Sequence, residues 1–401
     1  MATVALSRAL SRRDYTLARD LGRRAAEAGY ALWLVGGPVR DAMLGRRVVD
    51  VDVAAEAPIE ELGAALGLET QSPTRFGTAK AQVGGRALDL AMARTEVYLR
   101  PGALPVVAPG SMADDLGRRD FTVNAMAASL SPQGFGTLLD PYGGKADLER
   151  RVLRGLYAAT FRDDATRMLR AARYAARLRL TLHPATRRWL ARSLDAMAAI
   201  SPARVHRELR RTVEEAQGDG ARALLLARRL GVLGAIHPAL ASDAVADALR
   251  AAGQRGVKGD ALLAVLTGGG DLAEEARRTG LTKQEAENAR WLRWLLDDDA
   301  IAAPRLPPSH VAEAIGGAPD AAIEAAVALR STEARRNLRR YLDRRYAKPR
   351  MRGEDLMAMG VPEGPEIGRL LDALAPAVLD GRARTLRAER SIVRRMLEEA
   401  K

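Results

Sequence analysis

"RRVVDVDVAAEA", residues 46–57, sets Asp50 and Asp52 inside a run of valines. Side chains of a strand alternate between faces, so Val49, Val51 and Val53 share one face while Asp50 and Asp52 stand side by side on the other. Two like charges that close repel, and one pKa rises unless a cation lies between them. An oxygen-only pair suits Mg2+, which takes one or two carboxylates and completes its shell with water and phosphate oxygens. Alone, Asp-x-Asp is a common tripeptide that reads more often as a solvated strand face. The flanking segments therefore decide its meaning.

Upstream, "LWLVGGPVRD" (32–41) is a hydrophobic strand running into Gly36-Gly37 and a helix start that carries Arg40 and Asp41. A glycine pair between strand and helix lets backbone N–H groups approach an anion, and the helix N-terminus adds favourable polarity. The pair reads as a triphosphate cradle or as an ordinary tight turn. Downstream, "VGGRALDL" (83–90) reads as a hairpin whose second strand carries Asp89. A third carboxylate across the sheet is what a two-metal nucleotidyl transfer uses, although an exposed strand aspartate gives the same pattern.

Around this core the composition changes once. Strand-like segments, "ALWLVGG", "VVDVDVAA", "AKAQVGGRALDLAMA" and "FGTLLD", are confined to residues 31–140. After residue 145 the chain is rich in Ala, Leu and Arg with helical periodicity; Ala165, Met168, Leu169, Ala172 and Ala176 form an amphipathic stripe. The expected fold class is α+β: a small mixed or antiparallel sheet with helices, followed by an all-α remainder. With 63 Lys+Arg against 50 Asp+Glu, the net charge of +13 favours a polyanionic partner. No apolar stretch reaches the roughly 18 residues needed to span a bilayer. The N-terminal segment reads as a charged amphipathic helix, so a cytoplasmic protein without membrane association is expected. The chain has no cysteine, and its four histidines (His183, His206, His237, His310) are scattered. Disulfides are thereby excluded, and no zinc, haem or flavin is expected.

The motifs in order are "GGPVRDAMLGRRVVDVDVA" (36–54), "RFGT" (75–78), "DDLGRRDFTVNAMA" (114–127), "DPYGGKADLERRVLR" (140–154), "FRDDATRMLRAARYAARL" (161–178) and "SPARVHREL" (201–209). Together they resemble the class II tRNA nucleotidyltransferases and bacterial poly(A) polymerases of the polymerase-β-like nucleotidyltransferase superfamily. The resemblance implies a catalytic head over 1–145, a base-reading neck over 146–205 and a tRNA-binding body and tail over 206–401. It implies that Asp50 and Asp52 hold Mg2+; Asp89, from the hairpin reading above, is the candidate for a further catalytic carboxylate. Gly36, Gly37, Arg40 and Arg119 would contact the nucleoside triphosphate; Asp120 and Asn124 would order that loop and the ribose, Asn124 reading equally as a cap on local backbone. Asp164 and Arg167 would read the base, and Arg170 and Arg173 would reach the triphosphate or line a solvated face. Where the family reads Glu-Asp-x-x-Arg, this chain has Asp163-Asp164-Ala165-Thr166-Arg167.

The base-reading chemistry can be argued independently. Residues three apart on a helix are neighbours, so Asp164 and Arg167 are expected to present an acceptor beside donors, or else to form only a surface ion pair. Cytosine and adenine each offer an amino donor next to a ring-nitrogen acceptor. Uracil and guanine put a carbonyl where the amino group belongs, leaving acceptor against acceptor at about 1–3 kcal/mol. A protein edge can thus accept CTP and ATP and refuse UTP and GTP.

The resemblance implies addition of CCA to tRNA from CTP and ATP, with the acceptor and T arms gripped through phosphates and A-form shape. The runs 335–352 and 380–395 are expected phosphate contacts or, equally, solvated helix faces. An A-adding or CC-adding enzyme is the alternative, and a poly(A) polymerase ranks below it. A small-molecule nucleotidyltransferase and a non-catalytic RNA-binding protein are the readings from other classes.

Overall fold

The computed structural model describes residues 2–399 except 49, 50, 75, 84, 85, 101, 216–218 and 268. The described chain is α+β and divides into two compact units. One comprises residues 1–208 with 229–236; the other comprises 209–228 with 237–401. The expected head and neck ranges, 1–145 and 146–205, fall within the first unit.

The first unit is built on strands β1 (Leu32–Val35), β2 (Asp52–Ala55), β3 (Thr70–Thr74), β4 (Thr78–Val83), β5 (Arg86–Met92), β6 (Arg94–Val97), β7 (Val106–Pro109), β8 (Ala127–Ser129) and β9 (Leu138–Leu139). Seven of them form one mixed sheet in the order β3-β4-β5-β2-β1-β8-β9, while β6 and β7 make a separate hairpin. Strand β1 runs antiparallel to β2 and β8, and β2 runs parallel to β5. The helices that frame the sheet and the segments after it in this unit include α1 (Leu6–Ala9), α2 (Arg12–Glu27), α3 (Gly37–Met43), α4 (Ile59–Leu66), α5 (Met112–Gly117), α6 (Gly144–Glu149), α7 (Thr160–Asp163) and α8 (Thr166–Leu178).

Strand alternation sorts the side chains between two cores. Leu32, Leu34, Val51, Val53, Leu88 and Leu90 pack with Leu21 and Ala25 of α2 and Leu62 and Leu66 of α4. On the opposite face Val35, Ala54, Ala93, Ala125 and Ala127 pack with Met112 and Leu116 of α5. Each strand thus sends its even and odd positions to different layers. Helix α8 follows the predicted stripe: Ala165, just before it, and Met168, Leu169, Ala172 and Ala176 within it are all buried.

Beyond residue 145 the all-helical expectation needs one correction. Strands β10 (Val152–Leu153) and β11 (Thr181–Leu182) form a parallel pair. Two residues per strand are too few for an alternation to register in the sequence. The second unit is helical among its described residues. Helices Gly259–Leu266, Lys283–Asp297 and Asp320–Leu329 pack on one another, and Leu356, Leu374, Val378 and Val393 form a further apolar cluster toward the C-terminus. No helix is long and apolar enough to cross a membrane among the described residues.

Gly22 on α2 fixes how closely that helix approaches the sheet. A Cβ placed there would lie 1.9 Å from the Leu130 carbonyl oxygen, and Leu130 N–H is itself bound to the Leu32 carbonyl at 2.9 Å. Backbone held in this way cannot yield cheaply, so Gly22→Ala is expected to lower the unfolding free energy by about 3 kcal/mol, the upper range for overpacking. A denaturant midpoint equal to wild type would show that the helix can move off the sheet.

Candidate active site

The parallel pairing of β2 and β5 puts Asp52 directly opposite Asp89. Both lie on the sheet face of Ala54 and Ala91, away from the larger core. They border a cleft of about 510 Å3, which Gly37, Thr78, Lys80 and Arg119 also line. Lys80 Nζ stands 3.9 Å from Asp89 Oδ1. Asp50 and Arg75 lie outside the described residues. Among the described residues no group of three or more His, Asp or Glu gathers as a metal site. The chemistry of the described donors nevertheless fits a hard divalent cation: two carboxylates on one face, with no nitrogen or sulfur ligand, beside a cleft. Asp52 and Asp89 are the described residues that would hold one.

The glycine pair sits as expected between strand and helix. Gly36, at the N-cap of α3, has φ 71° and ψ −120°. A Cβ there would meet Arg119 Nη1 at 2.3 Å. Only glycine therefore combines this backbone turn with a guanidinium held against it. Arg119 donates from Nη2 to Asp115 Oδ2 at 2.9 Å and from Nη1 to the Asn124 carbonyl at 3.3 Å.

Behind the cradle runs a buried polar chain. Arg40, 3% exposed, donates from Nη1 to Asn124 Oδ1 at 2.5 Å and chelates Asp41 through Nε and Nη2 at 2.9 and 3.0 Å. Asn124 Nδ2 donates to Asp120 Oδ1 at 2.9 Å, which also accepts from the Phe121 N–H at 2.9 Å. The other oxygen, Asp120 Oδ2, accepts from Arg170 Nε at 2.8 Å and lies 2.6 Å from Arg170 Nη2. Arg173 Nη2 donates to Glu208 Oε2 at 3.0 Å, and Glu208 Oε1 lies 3.8 Å from Arg170. Tyr174 is the hub: the guanidinium carbons of Arg40, Arg170 and Arg173 sit 5.4, 5.4 and 5.3 Å from its ring centroid. Burial works against the Asp120 carboxylate, but the charges of Arg170 and Arg167 and the hydrogen bonds from Asn124 and Arg170 hold it below the usual carboxylate range. Asn124 thus joins two side chains instead of capping local backbone.

Asp164 and Arg167 require a correction. Asp164 is extended (φ −139°, ψ 99°) in the break between α7 and α8, so the two do not form an i,i+3 pair on one helix. Thr166 explains the break: its N–H and hydroxyl both donate to Asp164 Oδ1, at 2.9 and 2.6 Å, so the short carboxylate side chain competes with helical pairing. Arg167, the second residue of α8, turns inward. Its Nη2 donates to the Arg118 carbonyl at 2.7 Å, and its Nη1 donates to Thr160 Oγ1 at 2.7 Å and Tyr157 Oη at 3.1 Å.

Several residues that the motifs did not single out complete the site. Glu96 on β6 accepts from Arg94 and Arg118, at 2.9 and 2.7 Å, and from the Tyr98 hydroxyl at 2.9 Å. Burial opposes the Asp115 carboxylate, yet Arg119 and Arg118 beside it hold its pKa down. Arg204 donates to Asp164 Oδ1 at 2.8 Å and to the Gly102 carbonyl at 3.1 Å, tying the β6–β7 connection to the α7–α8 break. The i+3 and i+4 spacing of Arg118 and Arg119 from Asp115 was a readable signal; Glu96, Arg204 and Glu208 reach the site only through the fold. Asp140 in "DPYGGK" has a structural task, accepting from the Gly144 and Lys145 N–H groups at the start of α6 at 2.7 and 2.9 Å.

Residues 32–154 match the model of the poly A polymerase head domain. A CC-adding tRNA nucleotidyltransferase of Deinococcus radiodurans is 35% identical over 394 residues, 97% of this chain and 95% of the relative. The chain belongs to the class II tRNA nucleotidyltransferase family. An A-adding tRNA nucleotidyltransferase of Aquifex aeolicus is 43% identical over 167 residues, which are 41% of this chain and 20% of that longer relative. Among solved structures, the Thermotoga maritima CCA-adding enzyme complexed with tRNA-CCA superposes with a TM-score of 0.74 at 25% identity, covering 100% of this chain and 99% of that one. The family likeness therefore extends over the helical second unit, beyond the motifs that end at residue 209. Nucleotidyltransferases of this family use a divalent metal.

The depressed pKa of Asp120 makes its stabilisation pH-dependent. That contribution is fully present above the unfolded value of about 3.9 and is lost as pH falls through the folded value. Asp120→Asn is expected to cost about 3 kcal/mol at neutral pH, because Arg170 loses its buried counter-charge. The gap between variant and wild type should shrink as unfolding is measured from pH 6 toward pH 2. A gap independent of pH would mean that the carboxylate charge is not what holds Arg170.

Proposed function

We propose that this chain adds the 3′-terminal CCA to tRNA from CTP and ATP without a nucleic-acid template, in the cytoplasm. The observation that carries the reading is the direct register of Asp52 with Asp89 on the face that also presents Gly37 and Arg119. Residues 1–145 act as the catalytic head, 146–205 as the neck that reads the base and 206–401 as the tRNA-binding helices. The tRNA 3′-hydroxyl oxygen forms a bond to the α-phosphorus, the bond to the β-phosphate oxygen breaks, pyrophosphate leaves and the hydroxyl proton is released. Asp50 and Asp52, with Asp89 as the further carboxylate, would hold Mg2+, and the ion would supply charge neutralisation for the attacking and leaving oxygens.

The remaining roles belong to the protein's own side chains. Gly36 and Gly37 let the backbone approach the triphosphate, and Arg40, Arg119, Arg170 and Arg173 neutralise it. Asp120 and Asn124 hold those arginines in place, which is the preorganisation that charge stabilisation needs. Asp164 accepts from the amino group of cytosine or adenine. Arg167 donates to the neighbouring ring nitrogen after exchanging one of its present partners. In the second unit a cleft of about 670 Å3, lined by Arg255, Lys258, Arg335, Arg339 and Arg345, supports phosphate contacts with the acceptor and T arms.

A second reading, addition of CC alone, is favoured by the Deinococcus relative, which matches nearly the whole chain. Incubation with CTP, ATP or both, on transcripts ending before CCA, after C and after CC, separates the two. Extension of all three to CCA is expected. Extension that stops at CC supports the second reading, and no extension of any transcript contradicts both. Asp164→Ala should raise UTP incorporation relative to CTP about tenfold, the equivalent of one mismatched acceptor. Unchanged discrimination would remove Asp164 from base reading.

A further inference from the structure

The side chain of Arg167 is buried and its terminal nitrogens are engaged. Nη2 donates to the Arg118 carbonyl at 2.7 Å; Nη1 donates to Thr160 Oγ1 at 2.7 Å, to Tyr157 Oη at 3.1 Å and to the Arg119 carbonyl at 3.4 Å. A base gains a hydrogen bond from Nη1 at full strength only if one of these partners leaves. The partners differ in how readily they can go. Two are main-chain carbonyls on the segment after α5. Thr160 is fully buried at the start of α7, its N–H bound to the Tyr157 carbonyl at 3.2 Å, and a Cβ built on Gly155 would lie 3.4 Å from its methyl. Its hydroxyl cannot turn away without repacking that corner. Tyr157 is only half-buried, with its ring centroid 5.9 Å from the Arg167 guanidinium carbon. A small tilt withdraws the hydroxyl while the ring stays beside the cation. Burial and the Asp163 carboxylate hold this phenol above its usual pKa, against the pull of Arg167. At neutral pH it is an uncharged acceptor, which a cation leaves more readily than a carboxylate.

We propose that Tyr157 is a placeholder for the nucleotide base: its hydroxyl holds Arg167 Nη1 while the site is empty and yields it to the ring nitrogen of cytosine or adenine, while Thr160 keeps the guanidinium aimed. Both are positioning residues that act through Arg167. The proposal rests on the base reading assigned to Arg167 above and names the partner that is exchanged. Trading one hydrogen bond for another keeps the buried guanidinium paired throughout, so no donor is left unsatisfied. The trade also lowers affinity, because the donor is competent for the base only in the fraction of molecules from which the hydroxyl has withdrawn. Uracil N3 and guanine N1 each carry a hydrogen and accept no bond, so neither base draws Arg167 away from Tyr157. The hydroxyl thus sets a threshold that only a base with a ring-nitrogen acceptor crosses.

The test is calorimetric titration of the full chain, with Mg2+ in the buffer, using CTP, ATP and UTP. Tyr157→Phe keeps the ring and removes the competing acceptor, so CTP and ATP are expected to bind about tenfold more tightly, the equivalent of one hydrogen bond. Thr160→Val removes the fixed acceptor and is expected to weaken CTP and ATP about tenfold, with Thr160→Ser restoring them. UTP affinity should stay at the wild-type value in all three variants, which also shows that they are folded. Weaker CTP binding in Tyr157→Phe overturns the proposal, because the hydroxyl would then belong to the reading geometry itself. Equal weakening of CTP, ATP and UTP in Thr160→Val overturns the role of Thr160, because it marks damaged packing. Arg167→Ala separates this assignment from the reading beneath it. If that variant loses the preference for CTP over UTP while Tyr157→Phe and Thr160→Val bind as wild type, the placeholder alone is overturned. If it keeps the preference, base reading by Arg167 and the placeholder fall together.

Discussion

A carboxylate with almost no access to water, Asp120, organises the first unit's polar interior. Both its oxygens are occupied, one by Asn124 and the Phe121 N–H and the other by Arg170. Through Asn124 it reaches Arg40 on α3, and through Arg170 it reaches α8. Burying such a charge is costly unless it is paired and fully hydrogen-bonded. That cost makes the geometry strict: shifting any one of these segments would strand a charge in a low-dielectric space. The result is a row of guanidiniums with fixed spacing, which an isolated set of surface arginines would not keep.

The same logic assigns the remaining charges to layers. Asp115 on α5 anchors Arg118 and Arg119, and Glu96 on the hairpin anchors Arg118, so the second motif is held from two directions. Tyr174 spaces three arginines around one ring, using cation–π contact where like charges would otherwise repel. Arg204 joins Asp164 to the hairpin connection, so the hairpin and the α7–α8 break share a single side chain. Under the proposed function bases are chosen by protein groups alone, and rigidity around Asp164 and Arg167 is what such a choice requires.

Much of this was legible in the sequence because it depends on short-range pattern. Alternation in "VDVDVA" put Val51 and Val53 on one face, the face that is buried in the larger core, "LWLV" read as a hydrophobic strand, and the 3.6-residue stripe located α8. The glycine pair announced a turn that only glycine makes. What stayed hidden depends on contacts between distant segments. Nothing local says that Glu96 meets Arg118, that Glu208 pairs with Arg173 or that Arg204 reaches Gly102. The helical pairing expected of Asp164 and Arg167 failed for a local reason: Thr166 caps on Asp164 and breaks the helix between them. The parallel register of Asp52 with Asp89 was likewise out of reach, since a parallel pair needs a crossover that pattern alone cannot place.

The central claim is that Arg40 and Arg170 are anchored by one continuous network through Asn124 and Asp120. A double-mutant cycle on the unfolding free energy of the ligand-free protein, with Arg40→Gln, Arg170→Gln and the pair, tests it most directly. Residues in one network should couple by about 1–3 kcal/mol. Additivity within about 0.5 kcal/mol, the behaviour of independent sites, would mean that each arginine is held separately and would contradict the claim.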